Sequence, residues 1–222
     1  MTQIDNGTIH YRDELIRKLI HLCSLSIPVV YYFISTNTAA TIIGILAVVA
    51  LAIDLARHFH PSAGKVFYGI FGFLLRTHEV DSRKKSLNGA TYVLLSALIS
   101  ILIFPKAIFI TAFSILIVSD SMAAIIGRKF GKRKFLSKSF EGTLAFFISA
   151  CIVVFFTPKV ANLPEEFLIG IAGALTGAIV ENVSFRLIDD NLSIPLSVGF
   201  VMWGLYLAFL PHLEITLPGV PG

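Results

Sequence analysis

The sequence predicts an all-α, polytopic membrane protein of about seven transmembrane helices with one interfacial amphipathic helix. Three observations predict it. The 222 residues are 55% hydrophobic and only 14% charged, with a mean hydropathy of +0.81, whereas a soluble domain carries about 25% charged residues. The apolar residues gather into long runs, each close to the roughly 20 residues a helix needs to cross about 30 Å of hydrocarbon. The basic residues fall almost entirely between alternate pairs of these runs.

The runs cover 15–34, 38–56, 87–104, 107–127, 141–157, 165–181 and 193–210. What remains is too little for a separate soluble domain, so residues 1–222 read as one membrane-embedded domain. Residues 1–14 are polar, and Arg17, Lys18 and His21 occupy the first turns of the first run. No small-residue cleavage site follows a short apolar core there, so no cleavable signal peptide is expected. Segment 62–76 is aromatic-rich, too short to span, and bounded by Pro61 and Arg76. It reads as an interfacial helix, with a loop packed beneath the bundle as the plainer alternative. Cys23 and Cys151 lie inside apolar runs, where cysteine acts mostly as a small hydrophobe. Neither a disulfide framework nor a zinc site is expected.

Placing the N-terminus inside puts Arg12, Arg17 and Lys18 on the cytoplasmic side, then Arg57, Lys65, Arg76, Arg83, Lys84 and Lys85. Arg128, Lys129, Lys132, Arg133, Lys134, Lys138 and Arg186 follow on the same side, leaving only Lys106 and Lys159 of the eighteen cations outside. That asymmetry follows the positive-inside rule and predicts an N-in, C-out topology. The carboxylates divide the same way, which the rule does not require. Asp54, Asp120, Glu141, Glu181, Asp189 and Asp190 all lie at cytoplasmic depth, and Glu165 and Glu166 at the outer edge. A shared polar site at the cytoplasmic face explains this convergence economically.

The densest motif is Ser119-Asp120-Ser121-Met122-Ala123-Ala124-Ile125-Ile126-Gly127-Arg128-Lys129-Phe130-Gly131. Charge within a span is costly and usually marks a substrate or ion site. Small residues around Asp120 would admit a neighbouring helix or a ligand, and Gly127 and Gly131 are expected to free the backbone for a turn. The basic loop expected from residue 128, with Arg128, Lys129, Lys132, Arg133 and Lys134, could neutralise phosphates or simply fix topology. Lys138-Ser139-Phe140-Glu141-Gly142 is an N-cap with an acidic first turn as local structure. Such a helix start can also bind anions, and Glu141 could help hold magnesium. Glu181, Asn182, Asp189, Asp190 and Asn191 offer hard oxygens within a short stretch, suited to Mg²⁺ or to capping the next helix. Arg17, Lys18 and His21 are either headgroup anchors or part of the site.

Together these residues resemble the CTP-dependent lipid-alcohol kinases: dolichol kinases, phytol and farnesol kinases, and yeast-type diacylglycerol kinase. The resemblance runs from Arg12 to about Phe209. It rests on Glu14-Leu15-Ile16-Arg17-Lys18-Leu19-Ile20-His21, on Asn88-Gly89-Ala90-Thr91-Tyr92, on the two motifs above, and on Glu181 with Asp189-Asp190-Asn191-Leu192-Ser193-Ile194-Pro195. The middle block is shared with CDP-diacylglycerol synthases, whereas the Asp-Asp-Asn block is similar to the kinase branch. The resemblance implies transfer of the γ-phosphoryl group of CTP to a membrane lipid alcohol. Asp120 and Glu141 are then the catalytic carboxylates, and Asp120, Glu141, Glu181 and Asp190 (with Asp189 as an alternative) the Mg²⁺ ligands. Arg128, Lys129, Lys132, Lys134, Lys138 and Ser139 would bind the nucleotide. Arg17, Lys18, His21, Asn88 and Asn191 would meet the acceptor or its headgroup. One carboxylate, Asp120 foremost, could instead accept the hydroxyl proton. The implied partners are CTP, a lipid alcohol and membrane lipids, without nucleic acid. The implied location is a plasma or inner membrane in a bacterium, or endoplasmic reticulum or plastid in a eukaryote, with the active site cytoplasmic. A cytidylyltransferase attacking the α-phosphate and an ion-using transporter are the competing expectations. The absence of a Gly-x-x-x-x-Gly-Lys-Ser/Thr run argues against a P-loop.

Overall fold

The computed structural model describes residues 11–72, 87–183 and 189–222. Among them are nine helices: α1 (Tyr11–Cys23), α2 (Ser26–Phe33), α3 (Thr36–Phe59), α4 (Pro61–Phe71), α5 (Gly89–Ile103), α6 (Lys106–Phe130), α7 (Phe140–Phe156), α8 (Pro164–Val183) and α9 (Asp190–Phe209). One antiparallel hairpin, β1 (Lys134–Phe135) and β2 (Lys138–Ser139), joins α6 to α7.

Five helical stretches are long and apolar enough to cross a membrane: Tyr11–Phe33, α3, α6, α8 and α9. The apolar helices α5 and α7 are shorter, at 15 and 17 residues. All seven stand where the sequence places apolar runs. Large apolar side chains face outward, with Phe33, Val48 and Phe156 each more than two-thirds exposed. Lipid, not water, is the solvent such a surface suits. The chain is an integral membrane protein.

The first span is broken between α1 and α2. Pro28 has no N–H for the Ser24 carbonyl, and its ring would crowd that carbonyl in a continuous helix. The chain answers with tighter i→i−3 bonds, Ile27 N–H taking Ser24 O at 3.0 Å. Helix α4 follows directly on α3 and is held to it by the Arg57 guanidinium, which lies 4.7 Å from the centre of the Phe67 ring. The helical part of the expected 62–76 segment is thus present, and residues 73–76 lie outside the described residues. So do Arg83, Lys84, Lys85 and Arg186.

Helix α6 is the centre of the bundle, buried from Ala107 to Ile117 without interruption. Helices α1, α2, α7, α8 and α9 pack against it, and α3 and α9 pack on α5. Two expectations are corrected here. The basic segment does not begin as a loop: α6 continues through Arg128 and Lys129 to Phe130, where cations complement the negative end of the helix dipole. Gly127 is therefore helical rather than a turn. A Cβ on it would lie 3.0 Å from Ser139 Oγ and 3.3 Å from Gly142 Cα, so Gly127 and Gly142 let α6 and α7 cross backbone to backbone.

Candidate active site

Residues Glu14, Lys18 and His21 recur at helical spacing along one face of α1, which packs on α6. Lys18 donates to Asp120 Oδ2 in an ion pair that is almost wholly buried. His21 Nε2 lies 3.8 Å from the same oxygen. A buried charge is tolerated in this setting because its partner is buried with it. One turn earlier, Glu14 Oε1 takes Arg17 Nη2 at 2.5 Å and Oε2 takes Nε at 3.2 Å, and Arg128 Nη1 lies 3.7 Å from Oε2. Glu14 thereby ties the start of α1 to the end of α6.

A second charged group forms where the hairpin meets α8 and α9. Lys138 Nζ donates to Glu181 Oε1 at 2.6 Å and to Asp190 Oδ2 at 3.1 Å. Burial by itself would lower the Lys138 pKa, but Asp190 and Glu181, with Asp120 beyond them, push it above the ordinary ammonium value. Glu181 Oε2 and Asp190 Oδ1 are buried without a hydrogen-bond partner among the described residues. Two inward-facing carboxylate oxygens of this kind fit a hard divalent cation. No three Asp, Glu, His or Cys side chains among the described residues group to enclose a metal by themselves. Mg²⁺ usually takes one or two carboxylates and completes its shell from phosphates and water.

The hairpin is locked in place by Asn182, which is fully buried. Its Oδ1 accepts from Ser137 N–H at 3.1 Å and Lys138 N–H at 3.0 Å. Leu136 at the tip adopts φ 51°, a left-handed conformation that costs a leucine about 1–2 kcal/mol. Glu141 accepts from the backbone N–H of Lys132 at 3.0 Å and of Arg133 at 3.3 Å. It braces the hairpin's entry and makes no contact with the Asp120 or Glu181 groups among the described residues. Ser139 is the α7 N-cap, its Oγ accepting from Gly142 N–H at 3.2 Å.

A cavity of about 370 Å³ opens beside the Lys18–Asp120 pair. Its polar end is formed by Arg17, Lys18, His21, Asp120, Asp190 and Asn191, and its wall by Ile20, Ala50, Ile53, Phe67 and Val93. Asn88 also lines it, but that side chain is committed: Oδ1 accepts from Thr91 N–H at 3.0 Å and Nδ2 donates to Asp54 at 2.9 Å. Asp54 in turn pairs with Arg57 Nε at 2.8 Å. It holds the α5 N-terminus in place and does not itself line the cavity. Asn191 Nδ2 donates to Asp189 Oδ1 at 2.8 Å, and Pro195 offers no N–H to the Asn191 carbonyl one turn earlier.

The structure thus gathers Arg17, Lys18, His21, Asn88, Asp120, Lys138, Glu181, Asp190 and Asn191 into one region, with Arg128 at its edge. Lys129, Lys132 and Lys134 are exposed, and Glu141 faces the hairpin. Sequence reasoning missed Glu14 as a bridge between Arg17 and Arg128, although its i,i+3 spacing to Arg17 was a usable signal. It also missed the hairpin, whose strands are only two residues each.

An uncharacterized protein of Rickettsia prowazekii is 31% identical to the chain over 182 residues, covering 82% of this chain and 89% of that one. CTP-dependent diacylglycerol kinase 1 of Schizosaccharomyces pombe is 27% identical over 156 residues, 64% of this chain and 69% of the yeast protein. Probable phytol kinase 2, chloroplastic, of Glycine max is 32% identical over 151 residues, 62% of this chain. The chain spans about half, 51%, of that plant protein's length. No family model and no solved structure matches the chain. The chain belongs to the family of membrane lipid kinases that includes the diacylglycerol, dolichol and phytol kinases.

Proposed function

We propose that the protein transfers the γ-phosphoryl group of CTP to the hydroxyl of a membrane lipid alcohol. One observation carries this reading: a cavity with an apolar wall ends in Asp120, Lys18 and His21, with the Lys138–Glu181–Asp190 group beside it. A hydrocarbon chain suits the wall, and a hydroxyl suits the end. Asp120 would accept the hydroxyl proton as the oxygen attacks phosphorus, with Lys18 and His21 orienting its carboxylate. Glu181 and Asp190 would hold Mg²⁺ through their unpartnered buried oxygens. When bound, the ion would neutralise charge on the transferring and leaving phosphates. Lys138, released from its carboxylates, would meet the triphosphate, with Arg128 at the edge. Such chemistry needs positioning and charge neutralisation more than covalent help.

The basic segments support a cytosolic site, an N-terminus inside and a C-terminus outside, with α4 on the inner leaflet. Incubating purified protein with CTP labelled at the γ-phosphate, Mg²⁺ and a panel of polyprenols, phytol and diacylglycerol tests the reading. Labelled lipid with CDP released supports it. Release of pyrophosphate and formation of a CDP-lipid would replace it with cytidylyl transfer. No turnover, with ion flux in vesicles, would replace it with transport.

A further inference from the structure

We infer that the lipid acceptor enters the cavity sideways from the bilayer, between α1 and α3, with Ile20 and Ile53 forming the sill over which its hydrocarbon chain lies. This rests on the lipid-kinase reading and adds to it a route and two specificity-determining side chains. Ile20 and Ile53 both line the cavity, yet they are 53% and 49% exposed. A residue that does both marks where the cavity meets its surroundings. Their neighbours Leu19 and Val49 are also half exposed and apolar, so these surroundings are hydrocarbon rather than water. Among the described residues helix α1 packs chiefly on α6, and α3 on α5 and α4, and little packing joins α1 to α3. Small side chains at Ser24, Ala50 and Ala90 keep the wall behind the sill open.

The cavity lining is of two kinds: Ile20, Ile53, Val93 and Phe67 are apolar, and Asn88, His21 and Asp120 are polar. An alcohol on a long apolar chain suits both. A water-soluble acceptor would leave the apolar half unfilled. Because Ile20 and Ile53 are both lining and exposed, bulk at either position would control which chain passes.

A long-chain alcohol carrying a diazirine along its hydrocarbon, photolysed with the whole protein in lipid nanodiscs and mapped by peptide mass spectrometry, tests the route. Adducts on α1 and α3 are expected; adducts confined to α7, α8 or α9 would overturn it. Kinetics give a second arm. Ile20→Trp and Ile53→Trp should raise the KM for a long-chain alcohol roughly 10-fold or more. The KM for CTP should change far less than that for the long-chain alcohol. Ile53→Ala should lower the KM for bulkier branched chains. Unaltered chain-length dependence in all three variants would overturn the sill. Adducts on α1 and α3 without phosphoryl transfer to any alcohol would uphold the route and overturn the kinase reading.

Discussion

Lys18 of α1 and Asp120 of α6, 102 residues apart, neutralise each other at the polar end of the cavity while almost wholly buried. On the proposed reading the pair joins stability to chemistry, because the carboxylate that anchors α1 would also take a proton from the alcohol.

Replacing Asp120 with Asn should therefore do two separable things. It leaves the Lys18 ammonium buried without a counter-charge, a loss of about 3–5 kcal/mol. It also removes the proton acceptor, which lowers turnover roughly 10²–10⁴-fold. Lys18→Met combined with Asp120→Asn removes both charges and should regain most of the thermal stability in detergent without regaining turnover. Thermal melts and initial rates on the three variants check this. Turnover restored in the double variant would take Asp120 out of the chemistry.

The cations predicted to cradle phosphates should separate into two classes. Lys138 is partly buried between Glu181 and Asp190, so Lys138→Gln loses a charged contact worth about 1.5–3 kcal/mol. The KM for CTP should rise roughly 10- to 100-fold, while less Mg²⁺ is needed because the two carboxylates are freed from competition. Lys132→Ala and Lys134→Ala, at exposed positions, should shift the KM for CTP by less than about threefold, within the usual ±0.5 kcal/mol of surface changes. Titrations of CTP at fixed Mg²⁺, and of Mg²⁺ at fixed CTP, measure both. An unchanged CTP requirement in Lys138→Gln would reduce that lysine to a structural clamp.

The crossing of α6 and α7 should tolerate no side chain. A Cβ at Gly142 would lie 3.1 Å from Ala123 O and 3.2 Å from Gly127 Cα, and one at Gly131 would lie 2.8 Å from Ser139 Cβ. Gly142→Ala and Gly131→Ala should each cost about 1–3 kcal/mol through overpacking. Lower melting temperatures should accompany reduced turnover, since the crossing sets where Asp120 stands relative to Lys138. Gly204, whose Cβ would meet nothing within 4 Å, is the control: Gly204→Ala should leave both unchanged.

Much of this architecture is legible in the sequence because a bilayer enforces simple rules. Long apolar runs must be helices, as unpaired backbone groups are not tolerated in hydrocarbon, and a lone Asp120 in such a run must have a reason to be there. What the sequence leaves open is pairing at a distance. Nothing in the spacing of Lys18 names Asp120 as its partner, or Glu181 and Asp190 as the partners of Lys138. Glu141 illustrates the limit in reverse. Its position in a first turn suits a metal ligand, but two backbone N–H groups of the hairpin claim it. That hairpin has no hydrophobic alternation, and Asn182, on a different helix, holds its tip. Asp54 converges with the other acids at one end of the bundle, as expected, yet serves Asn88 and Arg57 rather than the cavity.

The orientation in the membrane yields the last prediction. Sixteen of the eighteen cations lie on segments assigned to one side, whereas Lys106 opens α6 and Lys159 lies in the segment between α7 and α8. Lys159 is already satisfied, donating to the Thr157 carbonyl at 2.7 Å. Glu166, fully buried beside it, accepts from Val160, Ala161 and Leu163 N–H and from Tyr206. That end is closed by its own hydrogen bonds and offers little charge to anionic lipid, whereas the exposed Lys129, Lys132 and Lys134 offer much. In a chain lacking Cys23 and Cys151, Lys134→Cys should react with an impermeant maleimide only after cells are opened. Glu165→Cys, exposed at the other end, should react in intact cells. The reverse pattern would invert the protein and place the Lys138–Glu181–Asp190 group away from cytosolic nucleotide, which no rearrangement of side chains could repair.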